Sequence, residues 1–183
     1  MTLVEAYHWY QSTRKTFQRV QRLARRYWDQ LPVDLPVCRD PQFVDLQGIT
    51  MEEDAKYGAD QLEDWGIFLL FACFEREFRE HVALQVIQDT DSIKHPVNLK
   101  AVNESLRQVE KESLDRVLTS YAVSSINDSN LVLRVQQIRE FRNWVAHGRK
   151  GSSPCFVEPI TAFEVLKELL DVIRIESKRL QVV

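Results

Sequence analysis

Chain breakers are scarce in this sequence: five glycines and six prolines serve 183 residues. A sandwich of many short strands needs a tight turn every few residues, and such turns draw on Gly and Pro. Long helices fit the scarcity better, and the apolar spacing agrees. Leu3, Tyr7, Tyr10, Phe17, Val20, Ala24 and Tyr27 recur at helical intervals and predict a helix from Leu3 to Gln30. Pro32 and Pro36 end it, because proline cannot continue a helix. Residues 31–49 hold three prolines and a glycine and read as an irregular connection. Thr50-Met51-Glu52-Glu53 is a capping box and opens a second helix, with a weak point at Gly58, that runs to Gln88.

Asp89 to Pro96 reads as a polar loop. Leu99, Val102, Leu106, Val109, Val117 and Tyr121 form a third amphipathic stretch, and Ser124 to Asn130 a turn rich in capping residues. Leu131, Val135, Ile138 and Val145 mark a fourth helix, with Gly148 suited to the left-handed position past its end. Thr161-Ala162-Phe163-Glu164 is a second capping box, opening a last helix through Val165, Leu166, Leu169, Val172 and Ile173. The expectation is an all-α, up-and-down bundle of about five helices. It forms one domain over 1–183, in which 1–49 is a basic helix plus connection and 50–183 the core bundle.

Other features narrow the class. The most apolar stretch, Trp65 to Phe74, is about half of what a bilayer requires, so it reads as a buried helix and no membrane is expected. The start of the chain lacks a charged head followed by an apolar run, so no signal peptide is expected. Cys38, Cys73 and Cys155 show neither zinc-finger nor disulfide spacing, and reduced thiols in a cytoplasm are the plain expectation. Net charge is −3, unevenly spread. Residues 1–30 and 134–150 each carry a net +4, which leaves −11 for the rest. Such segregation can create a local phosphate-attracting surface on an acidic body. The first segment on its own reads as a solvated helix face.

The chemistry concentrates in Arg139-Glu140-Phe141-Arg142-Asn143-Trp144-Val145-Ala146-His147-Gly148-Arg149. Helical spacing sets Arg139, Asn143 and His147 in one polar column, with Arg142 beside it. His147 falls at the C-terminal end of its helix, just before the Gly148 stop. An arginine can grip a scissile phosphate bidentately, and a histidine can act as general acid or base for attack by the neighbouring 2′-hydroxyl of RNA. No Asp/Glu/His cluster has metal-ligand spacing, so neither metal nor other cofactor is expected. Phe141, Trp144 and Val145 read as packing residues.

This segment resembles the hallmark of the HEPN superfamily: an arginine, four to six residues of which the first is commonly polar, then a histidine. Arg142, Asn143 and His147 match it, and the likeness in arrangement covers roughly residues 50–180. The resemblance implies a small helical bundle acting as a metal-independent endoribonuclease, often a toxin or antiphage effector, with its site at a homodimer interface. Arg142 and His147 would be catalytic, with Asn143 orienting the histidine. RNA and an antitoxin protein would be partners. Two other readings stand beside it: a non-catalytic module that dimerises or holds nucleotide or RNA, and a structural partner of a nucleotidyltransferase. Some family toxins carry, two residues after the histidine, a tyrosine that such a transferase modifies. Arg149 stands there, so that control is not expected.

Supporting roles are expected elsewhere. Glu75 interrupts the apolar stripe Phe68, Phe71, Phe78, Val82, and Arg142 interrupts Val135, Ile138, Val145. Opposite charges set in apolar stripes suggest a Glu75–Arg142 pair, since lone desolvated charges are expensive. Glu77 and Glu80 read as surface residues whose loss matters little. Arg139 would support the site, and Arg149 and Lys150 would contact RNA. Arg14 reads as snorkelling, Cys73 as inert core, and His8, His81 and His95 are assigned no function.

Overall fold

A computed structural model describes residues 1–32, 35, 36, 40, 43, 47–90, 95–125 and 128–180. Most of the proline-containing connection, with Cys38, lies outside these residues, as does most of the loop after Thr90. The chain is an all-α helical bundle. Among the described residues its helices are α1 (Leu3–Tyr27), α2 (Gly48–Thr90), α3 (Pro96–Lys111), α4 (Leu114–Ser125), α5 (Ser129–Ala146) and α6 (Pro159–Leu180), with a 3₁₀ turn, Trp28–Gln30, after α1. Among the described residues there is no strand, and no helix is long and apolar enough to cross a membrane.

Among the described residues six helices stand where about five were expected, because the third amphipathic stretch is two. It breaks at Glu112–Ser113, where no glycine or proline announces a stop. The Ser113 carbonyl instead accepts the Arg116 and Val117 N–H groups and starts α4 afresh. Neither capping box opens its helix. α2 begins two residues before Thr50, and α6 begins at Pro159, whose fixed φ suits a first helical position.

The chain divides into two compact units, Tyr7–Gly66 and Met1–Ala6 with Ile67–Val183, and α2 contributes residues to each. In the smaller unit Gly58 is no break. A Cβ there would sit 2.5 Å from the Phe17 ring, so its missing side chain is what lets the two helices close on each other. The Tyr10 hydroxyl donates to Glu63 at 2.6 Å, and Arg14 pairs with Glu63 rather than standing alone. Burial, then the Glu63 carboxylate, push the Tyr10 hydroxyl well above its ordinary pKa.

In the larger unit, Ile67, Leu70, Phe71, Phe74 and Phe78 of α2 are buried with Leu118, Leu131, Val135, Ile138 and α6 residues Val165, Leu166, Leu169, Leu170 and Ile173. Cys73 is buried with them, and desolvation raises its thiol pKa, which suits an inert core residue. Glu77 departs from the surface role expected of it. Its carboxylate accepts the Leu3 N–H and pairs with Arg174 at 2.8 Å, and its side chain is only 13% exposed.

His81 lies near the same arginine. Desolvation, and then the charge of Arg174, lower its pKa against a hydrogen bond to the Ile173 backbone. The unfolded chain therefore binds a proton on this residue more readily than the folded chain does. Stability is expected to fall as pH drops below the ordinary histidine value of about 6.5, and to stop falling once the folded form is also protonated. Urea midpoints measured between pH 5 and 8 should show this slope, and His81→Gln should flatten it. An unchanged slope in the variant would assign the effect to other groups.

Candidate functional site

The candidate residues lie on the last two turns of α5 and the loop that follows. Asp128 caps the start of α5, accepting the Asn130 and Leu131 N–H groups at 2.9 and 3.1 Å. Leu131, Val132, Val135, Ile138 and Phe141 are buried, and the helix packs against α4 and α6. This fixes the rotation of α5 and so decides where Arg142 goes.

The end of the helix is a complete Schellman motif. The Gly148 N–H bonds the Val145 carbonyl and the Arg149 N–H bonds the Trp144 carbonyl, each at 2.9 Å. Gly148 has φ +73°, as the motif requires, and a Cβ there would meet nothing within 4 Å. Conformation, not space, therefore demands glycine. Arg149 follows with φ +57°, and its guanidinium lies 5.5 Å from the Trp144 ring. That contact joins the two positions which in this motif usually share an apolar contact.

His147 is the C-cap of α5. Its backbone N–H bonds the Asn143 carbonyl at 3.0 Å, and the residue is exposed. The imidazole makes no hydrogen bond or ion pair with a described residue.

Arg142 is half-buried. Its guanidinium carbon lies 5.5 Å from the Phe68 ring centre and 5.6 Å from that of Phe71, and Nη1 donates to Asn143 Oδ1 at 2.8 Å. Nε is buried without a partner. The Glu75–Arg142 pair is not formed. Glu75 Oε1 instead accepts Nε and Nη2 of Arg79, at 3.0 and 2.7 Å. An arginine four residues away on the same helix reaches the carboxylate more easily than one on another helix, and the aromatic faces of α2 take the cation in its place.

Arg79 is the residue the sequence reading missed. Besides Glu75 it binds the Val109 and Glu112 carbonyls, so a cation closes the negative end of α3. Its i, i+4 relation to Glu75 is readable in sequence, but its carbonyl partners exist only once the helices pack.

Arg139 turns away from the proposed column to form an ion pair with Asp115 of α4, which also accepts from Gln136. The structure thus joins Arg142 to Asn143 through side chains and Asn143 to His147 through the backbone. Glu75 and Arg139 serve other contacts, and Lys150 is exposed on the loop. Phe141, expected to pack, does so against Trp144 and Phe156, whose ring centres lie 5.7 and 6.5 Å away. Among the described residues no group of three His, Cys, Asp or Glu side chains could hold a metal ion.

Chemically, the site offers a cation held against aromatic faces with donors to spare, and an exposed imidazole just over one turn further along the same helix. Compared with known proteins, the chain has no significant match to a family model, a curated protein or a solved structure.

Proposed function

We propose that this chain is a metal-independent endoribonuclease of the HEPN type, working in the cytoplasm as a homodimeric toxin or antiphage effector restrained by an antitoxin protein. The observation that carries the reading is the state of Arg142. Of the five donors on its guanidinium, one is committed to Asn143, and among the described residues no carboxylate pairs with the group, Glu75 being taken by Arg79. A part-buried cation with free donors suits an anion, and the non-bridging oxygens of a phosphodiester match the guanidinium fork.

In this reading the 2′-hydroxyl attacks the adjacent phosphorus and gives its proton to a base. The P–O5′ bond breaks, and an acid protonates the leaving 5′-oxygen. The products are a 2′,3′-cyclic phosphate and a 5′-hydroxyl. Arg142 stabilises the charge gathering on the phosphoryl oxygens. His147 fills one proton-transfer role, and the same residue of a second copy fills the other, which is the reason for expecting a dimer. Asn143 holds Arg142 through its side chain and the His147 backbone through its carbonyl, so it positions both.

A second reading has its own support. Arg142 already rests on Phe68, Phe71 and Asn143, as a purely structural arginine would. A non-catalytic module that dimerises or holds nucleotide or RNA, or a structural partner of a nucleotidyltransferase, would need no more. Incubating the pure protein with RNA in excess EDTA separates the readings. Cleavage is the expected result. Binding without cleavage of any RNA would favour the module.

A further inference from the structure

α1 carries a second candidate site that no part of the ribonuclease reading uses. Lys15, Arg19, Arg22 and Arg26 are spaced four, three and four residues apart, which at 3.6 residues per turn sets them in one stripe about 60° wide. All four are exposed, and none forms an ion pair or side-chain hydrogen bond with a described residue. Arg14, off this stripe, is the cation of α1 that is paired, with Glu63.

A solvated helix face ordinarily mixes signs, with acids four residues from bases. Between Ala6 and Tyr27 this helix has no Asp or Glu at all. Each neighbouring pair along the stripe is therefore like-charged at i, i+3 or i, i+4, an arrangement that destabilises a helix. Such repulsion is relieved by a linear polyanion. The opposite face of α1 is already used within the protein, with Tyr10 and Ala24 buried and Phe17 seated on Gly58. It is not free to enter a lipid surface, as a membrane-lying amphipathic helix requires.

We propose that the Lys15–Arg19–Arg22–Arg26 stripe binds the phosphate backbone of nucleic acid. The stripe spans about 16 Å along the helix, long enough for about four phosphates of one strand. Recognition is by charge and carries no base preference. The inference stands apart from the chemistry of Arg142 and His147. Under the ribonuclease reading the bound strand is the substrate RNA.

The test uses the whole protein and a fluorescent single-stranded 20-mer of 2′-O-methyl RNA, which cannot undergo 2′-hydroxyl attack. Anisotropy is followed from 50 to 200 mM salt. Changing Lys15, Arg19, Arg22 and Arg26 together to Gln should weaken binding at least about tenfold at 50 mM salt and flatten the slope of log K against log salt by about 3. Thermal stability should hold or rise, since repulsion is removed. Arg19→Lys, Arg22→Lys and Arg26→Lys together should keep both affinity and slope, because a point charge suffices. Unchanged binding by the Gln variant would overturn the proposal. So would wild-type protein that ignores the RNA but binds vesicles of seven parts phosphatidylcholine to three parts phosphatidylserine. Unchanged binding by the Gln variant leaves the ribonuclease reading standing, and that reading is decided separately by cleavage of unmodified RNA in excess EDTA.

Discussion

His147→Ala is expected to lower RNA cleavage about 10²–10⁴-fold, the usual contribution of a positioned acid or base, while leaving the fold intact. The fold should survive because the imidazole is exposed and touches no described partner, and because the helix end is closed by the backbone bonds of Val145, Gly148, Trp144 and Arg149. Any residue at the C-cap can supply the same N–H to Asn143. Melting temperature should therefore stay within a degree or two while activity is lost. Arg142→Lys is the sharper companion. It keeps the charge but loses the planar fork and the fit to Phe68 and Phe71, so its loss should appear mainly in kcat. Initial rates on one labelled RNA in excess EDTA, beside melting curves, check both. Full activity in His147→Ala would remove His147 from the chemistry.

Arg79→Ala is expected to give the largest loss of stability among the charged residues of α2. Arg79 and Glu75 are 19% and 29% exposed, and the same guanidinium closes the end of α3 on the Val109 and Glu112 carbonyls. Its removal strands a part-buried carboxylate and two helix-end carbonyls. Breaking a fully buried pair costs about 3–5 kcal/mol, and the partial exposure here brings the expectation to about 2–3 kcal/mol, or about 5–10 °C in Tm. Glu77→Ala should also destabilise, since Glu77 ties Leu3 to Arg174. Glu80, 64% exposed in one long ion pair, should tolerate alanine within about 0.5 kcal/mol. A double-mutant cycle makes the test specific: Glu75 and Arg79 should couple strongly, and Glu75 and Arg142 should be nearly additive. Coupling confined to Glu75 and Arg142 would restore the pairing that the structure lacks.

The helical class was legible because periodicity and the scarcity of breakers are local properties. The end of α5 was legible for the same reason: Gly148 is demanded by backbone conformation, and that demand is written in one residue. The split between α3 and α4 was not, since Ser113 is an unremarkable residue until its carbonyl is turned to start a new helix. Gly58 was misread because its purpose is the ring of Phe17, more than forty positions away in the chain. The interruption of an apolar stripe at Arg142 rightly marked a charge in unusual surroundings. Its partner was misjudged because a cation near an apolar stripe can be held by ring faces as well as by a carboxylate, and only packing chooses between them. The stripe on α1 was visible as a charge excess. Its lack of partners became visible only in the structure, where Glu63 pairs with Arg14 rather than with the stripe.

The chemistry of the cut ends tests the central claim most directly. RNA digested in excess EDTA should carry 2′,3′-cyclic phosphate on one fragment and 5′-hydroxyl on the other, read by mass spectrometry, and an RNA with 2′-O-methyl at the cleavage position should be left whole there. Fragments bearing 5′-phosphate, or cleavage that EDTA abolishes and a divalent metal restores, would contradict attack by the 2′-hydroxyl at Arg142 and His147.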